Sequence, residues 1–124
     1  MRVTRPSFRI KRVYEPPDTA DGVRVLVDRL WPRGLSRERA KIDLWLKEIA
    51  PSDALRRRLH RDPSAWGHFK TAYYAELEEA PAQSAVHDLL GRLSQGPVTL
   101  LFAARDEAHN NAVALKEWLE DRVG

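Results

Sequence analysis

The stretch that decides the fold is Val98–Leu119, VTLLFAARDEAHNNAVALKEWL. It begins with a continuous apolar run after Gly96-Pro97, which is typical of a short strand buried on both faces of a parallel sheet. The sequence turns polar at Arg105, and apolar residues recur at helical spacing from Ala108 onward. The pattern therefore predicts a strand, a polar turn and a helix. Ligands of open α/β sheets bind where strands end and helices begin, so this turn is a candidate binding site.

The composition indicates one domain of moderate charge. The chain has 124 residues and no cysteine, with 21 Lys and Arg against 18 Asp and Glu. This length predicts a single domain over residues 1–124, and the lack of cysteine excludes disulfides and thiolate metal ligands. No apolar run is long enough to cross a bilayer and no apolar signal segment begins the chain, so we expect a cytoplasmic protein without membrane contact. The formal charge of +3 mildly favours anionic partners.

Two further segments are predicted strands. Phe8–Tyr14 alternates apolar and basic residues, which is typical of a sheet edge with charges in solvent. Val23–Asp28 is apolar and rich in β-branched residues. The turn-rich segment between them is shorter than a usual parallel crossover, so these strands are predicted to be antiparallel or joined in an unusual way.

Helical patterns fill the middle of the chain. Ser36 is a predicted N-cap, followed by a helix whose buried face comprises Ile42, Trp45, Leu46 and Ile49. Capping signals predict further helices after Ser52, after Asp62 and after Pro81. An aromatic stripe from Trp66 to Leu77 is more typical of a core than of a base-stacking surface. The long helical connection predicts that the second and last strands are parallel. We therefore predict a small α/β fold with a mostly parallel sheet of about three strands.

A second polar turn, DRLWPRG at 28–34, follows the second strand. Because parallel strands end at the same edge of a sheet, this turn is expected to meet the polar turn after the last strand. The two turns predict one composite pocket, whose charged members are Asp28, Arg29, Arg33, Arg105, Asp106 and His109. The structural alternative is an internal ion-pair network, with Asp28 paired to an arginine and Asp106 capping the last helix.

The predicted pocket has the groups needed to bind an anion. Its arginines would hold a phosphate or carboxylate bidentately, and Asn110 would add neutral hydrogen bonds. His109 is predicted in the first turn of the last helix, where a neutral ring would act as a general base oriented by Asp28 or Asp106. An ordinary surface histidine is equally compatible with the sequence. No metal-ligand spacing, Gly-rich phosphate loop or known hydrolase motif is present, so no metal or cofactor is expected.

Two other function classes remain open. A nucleic-acid-binding module would use the basic run Arg56–Arg58 and the basic first strand on phosphates. The modest net charge and the lack of a helix-turn-helix pattern disfavour it, and such a basic run is more typical of a solvated helix face. An interaction domain without activity is the third class. The sequence does not predict an oligomeric state.

Three segments, VRVLVDRLWPRG, WLKEIAPS and VTLLFAARDEAHNNAVAL, resemble the signature blocks of the YeaO-like proteins, a branch of the domain of unknown function 488 superfamily. The resemblance covers Phe8 to Leu119 and implies a bacterial α/β domain without an established biochemical role. It adds Trp31, Lys47 and Ser52 to the implied ligand-binding positions. Related branches of the superfamily look as though they carry a cysteine in the last turn. This chain has no cysteine, so the resemblance does not extend to thiol chemistry.

Overall fold

The computed structural model describes residues 7–123, in which a four-stranded sheet and five helices form one domain. The strands are β1 (Arg9–Arg12), β2 (Val23–Leu26), β3 (Leu44–Trp45) and β4 (Val98–Phe102). The helices are α1 (Arg37–Ala40), α2 (Asp53–Arg61), α3 (Trp66–Leu77), α4 (Ala80–Leu93) and α5 (Asn111–Val123). Short 3-10 helices lie at Thr19–Asp21, Lys47–Ile49 and Pro63–Ala65. The predicted α/β class and mostly parallel sheet are confirmed. Within residues 7–123 no helix has the length and apolar character needed to cross a membrane.

The strand from the fold-deciding stretch, β4, lies inside the sheet. All of its residues are buried, and the sheet order is β1-β4-β2-β3 with every pairing parallel. The predicted parallel pairing of the second and last strands is therefore confirmed. Of the two alternatives for the first two strands, the antiparallel one was wrong and the unusual connection is confirmed, because β1 and β2 are both parallel to β4, do not pair with each other and are joined by a short segment. Since β1 has only four residues, about 13 Å, the short segment 13–22 is long enough to return the chain to the start of β2.

One face of the sheet carries the larger core. Helices α3, α4 and α5 pack there against buried residues that include Val25, Leu100 and Phe102. The predicted aromatic stripe of α3 is part of this core, where Tyr73 is fully buried and its hydroxyl donates to the Ile49 carbonyl. The opposite face carries a smaller cluster of Val13, Leu26, Ala40 and Leu101, covered by the segment 31–45.

The helix predicted after Ser36 was wrong in extent. Ser36 does cap α1, but this helix ends after one turn at Lys41, whose φ of 49° is left-handed. Residues 44–46 then extend along β2, with Leu44 and Leu46 packed against the larger core and Trp45 against the smaller one. The apolar residues whose spacing fits one helix face thus lie on both faces of the sheet. Pairing of this segment with β2 outweighs its local preference for a helix.

A buried polar cluster lies at the amino-terminal end of the sheet. Asp21 accepts from the Arg24 guanidinium at 2.5 Å and from the Lys11 ammonium at 3.1 Å. Arg24 also donates to the Ala40 carbonyl at 2.9 Å, and the Thr99 hydroxyl donates to the Asp21 carbonyl at 2.7 Å. This cluster ties β1, β2, β4 and α1 together at the end opposite the polar turns.

Candidate functional site

The carboxyl ends of β2 and β4 open into a groove of about 810 Å³. The turn that follows β2 and the turn that follows β4 both line it, as the parallel pairing of these strands predicts. The predicted site residues that line the groove are Asp28, Arg29, Arg33, Arg105, Asp106, His109 and Asn110.

Asp28 holds the two strand ends and the start of α5 together. Its Oδ2 accepts from the Ala103 N–H at 2.9 Å, and its Oδ1 accepts from the Asn111 side-chain amide at 3.0 Å. The same amide donates to the Val27 carbonyl at 3.0 Å. Burial raises the pKa of the Asp28 carboxyl, although the hydrogen bonds from Ala103 and Asn111 oppose the rise. Within residues 7–123 no arginine forms an ion pair with Asp28, so the alternative of an Asp28 ion-pair network was wrong.

Arg29 fixes the chain segment that leads into α2. Its Nε donates to the Pro51 carbonyl and its Nη2 donates to the Ala50 carbonyl, each at 3.2 Å. Carbonyl oxygens carry no net charge, so these bonds orient the guanidinium and leave its positive charge beside the groove.

Asp106 organises the turn before α5. Its Oδ1 accepts from the N–H groups of Ala108 and His109, each at 2.9 Å, and its Oδ2 lies 3.2 Å from Nδ1 of His109. The His109 and Ala108 N–H groups hold the pKa of the Asp106 carboxyl below its usual range. The prediction that Asp106 caps the last helix was wrong, because the carboxylate closes the turn that precedes the helix. His109 consequently lies before α5 and not in its first turn.

Asn110 provides the cap of α5. Its Oδ1 accepts from the Val113 N–H at 3.0 Å, and its Nδ2 donates to the Asp106 carbonyl at 2.9 Å. Asn110 is only 2% exposed, so both bonds are shielded from water. Its predicted neutral hydrogen bonds are therefore used within the protein.

We expect Asn110→Ala to lower the free energy of unfolding by about 1 to 2 kcal/mol, because it removes the N-cap acceptor of α5. Urea unfolding followed by circular dichroism measures this loss. Asp106→Ala is the control, because it removes an exposed carboxylate from the preceding turn and should cost less than Asn110→Ala. A greater loss for Asp106→Ala would show that Asp106 is the residue on which α5 depends.

His109 presents a half-exposed ring to the groove. Its ring lies edge-on to Trp66, with 5.3 Å between the ring centroids and an interplanar angle of 75°. Asp106 faces Nδ1, and Nε2 makes no hydrogen bond within residues 7–123. Nε2 is therefore the ring nitrogen that is available to a ligand.

Three positions implied by the family resemblance lie outside the groove. The Trp31 indole donates to the Leu35 carbonyl at 2.7 Å and packs edge-on against Trp45. The Lys47 ammonium lies 4.1 Å from the centroid of a Trp45 ring. Ser52 caps α2. These contacts give each of the three residues a structural role.

Helix α2 and the segment after it form a wall that the sequence did not indicate. Arg56 and His60 line the groove from α2, and the apolar lining residues are chiefly Leu30, Leu59, Pro63 and Phe69. The basic run containing Arg56 was visible, but nothing in the sequence states where α2 packs relative to the strand ends. Four arginines and two aspartates thus border the groove. Within residues 7–123 no group of three or more His, Asp or Glu side chains is arranged to hold a metal ion.

Comparison with known proteins gives consistent results. The family model described as the inactive DUF488-N3 subclade matches residues 7–124. The uncharacterised protein YeaO of Escherichia coli is 38% identical over 113 residues, covering 91% of this chain and 96% of the relative. The uncharacterised protein Mb3100c of Mycobacterium bovis and Rv3073c of Mycobacterium tuberculosis are each 39% identical over 122 residues, covering 98% of this chain and 99% of the relative. No solved structure shows a significant match.

The match to the family model and the nearly full-length relatives confirm the resemblance found in the three sequence blocks. The chain therefore belongs to the YeaO-like branch of the domain of unknown function 488 superfamily, within its inactive N3 subclade.

Proposed function

We propose that the groove at the carboxyl ends of β2 and β4 binds a small ligand through a phosphate or carboxylate group. The observation that carries this proposal is the excess of guanidinium groups over carboxylates in the lining. Arg33 and Arg105 are exposed, and no carboxylate lies within ion-pair distance of either among residues 7–123. Both side chains are therefore available to an anion, which a guanidinium binds with paired hydrogen bonds.

The two aspartates of the groove offset only two of its four guanidinium charges. Asp28 is held by neutral donors, and Asp106 is held by backbone N–H groups and faces His109, so neither carboxylate pairs with Arg33 or Arg105. Helix α5 also begins at the groove, and the first turn of a helix has N–H groups without intrahelical partners. Both features support anion binding at this edge of the sheet.

The proposed role is binding without turnover. The description of the family as inactive favours it. Asp28 would keep the strand ends together, and Asp106 would orient His109 so that Nε2 donates to or accepts from the ligand. General-base action by His109, predicted from the sequence, requires a reaction and stays a prediction.

A nucleic-acid phosphate is the second candidate for the anion. Arg56, Arg57, Arg58 and Arg61 are all exposed on α2, and Arg56 also borders the groove. The net charge of +3 disfavours a long phosphate backbone as partner. Binding to nucleic acid would weaken steeply with salt, whereas a single anion in a groove responds less.

Isothermal titration calorimetry with inorganic phosphate at constant ionic strength tests the proposal. We expect saturable binding that Arg33→Gln and Arg105→Gln each weaken about tenfold or more, because each removes a charge-assisted hydrogen bond worth roughly 1.5 to 3 kcal/mol. Both side chains are exposed, so neither substitution should change the unfolding temperature appreciably. Arg39→Gln is the matched control, since Arg39 is exposed on α1 and does not line the groove.

An equal loss of affinity in Arg39→Gln would indicate nonspecific attraction and contradict the proposal. The absence of phosphate binding together with salt-sensitive binding of a labelled single-stranded oligonucleotide would favour the second candidate.

A further inference from the structure

We infer that the anionic group of the ligand is joined to an apolar organic group that occupies the α2–α3 side of the groove. This inference rests on the proposed function and specifies the class of ligand as small amphipathic organic anions. Three observations carry it: the size of the groove, the apolar residues on its α2–α3 side and a second cavity that shares two of those residues.

The groove is much larger than an inorganic anion. Its volume of about 810 Å³ lies in the range of roughly 300 to 1,000 Å³ that is usual for sites of drug-sized ligands. Arg33 and Arg105 are the exposed arginines of the lining that have no ion-pair partner among residues 7–123, and they come from the turns after β2 and β4. An anion held by these turns leaves the side formed by α2 and α3 unfilled.

That unfilled side carries a group of apolar residues next to Arg56 and His60 of α2. Leu59, Pro63 and Phe69 line it, and Leu30, in the turn after β2, lines the same groove. Leu30 is 59% exposed, the largest fraction among the large hydrophobic residues that the structure describes. A single exposed leucine is ordinary, but one that shares a groove with further apolar residues indicates a contact point for an apolar group.

The packing between α2 and α3 leaves a further space next to these residues. A second cavity of about 80 Å³ lies between α2 and α3 and shares Leu59 and Phe69 with the groove. Leu55, Ala65 and Ala72 complete its apolar lining. Leu59 and Phe69 therefore border both spaces, and the second cavity adds room next to the apolar residues of the groove.

Calorimetric titration with three probes tests this inference: inorganic phosphate, phenyl phosphate and phenol. We expect phenyl phosphate to bind at least tenfold more tightly than phosphate and phenol not to bind measurably. Leu30→Ser should lower the affinity for phenyl phosphate several-fold and leave the affinity for inorganic phosphate unchanged. Arg33→Gln should weaken the binding of both anions by a similar factor. Because Leu30 is exposed, the unliganded Leu30→Ser protein should keep the wild-type unfolding temperature within about 2 °C.

The possible results separate this inference from the proposed function. Absence of binding by both anions would overturn both. Equal affinity for phosphate and phenyl phosphate would overturn only the inference of an apolar group. If Leu30→Ser still bound phenyl phosphate as much more tightly than inorganic phosphate as the wild type does, the inference would also be overturned, since the ring would then bind elsewhere. Binding of phenol as tight as that of phenyl phosphate would overturn the anion site itself.

Discussion

Asp21→Ala is expected to lower the free energy of unfolding by about 3 to 5 kcal/mol, because it leaves the Arg24 guanidinium buried without its counter-charge. Arg24 is 3% exposed and Asp21 is 5% exposed, so water cannot replace the lost carboxylate. The remaining donors of Arg24 already bind the carbonyls of Ala40 and Lys41. Urea unfolding at pH 7 measures the loss.

The pH dependence of the same variant gives a second readout. Burial acts to raise the pKa of the Asp21 carboxyl, but hydrogen bonds from the Asp18 N–H, Lys11 and Arg24 hold it below its usual range. A carboxyl with a lowered folded-state pKa stabilises the protein above its unfolded-state pKa of about 4, and this stabilisation is lost as the pH falls through the folded-state value. The difference between wild type and Asp21→Ala should therefore shrink below pH 4.

Asp88→Ala is the matched control for Asp21→Ala. Asp88 pairs with Arg92 at 2.9 Å on α4, but both side chains are more than a third exposed. Such a surface pair contributes at most about 0.5 to 1 kcal/mol. If Asp21→Ala costs no more than Asp88→Ala, the buried cluster is not an important source of stability.

The prediction of the composite pocket succeeded because it depended on strong and simple patterns. The apolar runs of β2 and β4 are those of strands buried inside a parallel sheet, and each run ends in charged residues. Parallel pairing alone then brings Asp28 and Asp106 to the same groove. The parallel pairing itself was predicted from the long helical connection between the two strands.

The predictions that failed depended on choices between competing local structures. Asp106 and Asn110 are both good caps four residues apart, and only the path of the turn selects Asn110. The segment 42–49 has helical spacing, but its residues gain more by pairing with β2 and filling two clusters. The apolar wall of the groove was not predicted because it depends on where α2 packs, which local patterns do not determine.

Gly22→Ala is expected to lower the free energy of unfolding by about 2 to 4 kcal/mol, through backbone strain and steric overlap. Gly22 has a φ of 65° and a ψ of −135°, a conformation that residues with a side chain rarely adopt. A Cβ atom at this position would overlap the Pro97 carbonyl. That carbonyl cannot move freely, because it accepts from the Val23 N–H at 3.0 Å.

The position of Gly22 connects this expected loss to the groove. Directly after Gly22 and Pro97, Val23 pairs with Val98 and sets the register of β2 on β4. The same register places the Asp28 carboxylate against the Ala103 N–H at the other end of the strands. A shift of the Gly22 backbone away from Pro97 would therefore disturb the groove as well as the sheet.

Gly91→Ala provides the comparison for Gly22→Ala. Gly91 lies in α4, where an added Cβ meets no atom within 4 Å. Alanine should raise the free energy of unfolding there by about 0.5 to 1 kcal/mol, because it restricts the unfolded chain and favours the helix. Thermal and urea unfolding of the two variants should thus change in opposite directions. Stabilisation by both substitutions would show that the close approach of Gly22 to Pro97 does not require glycine.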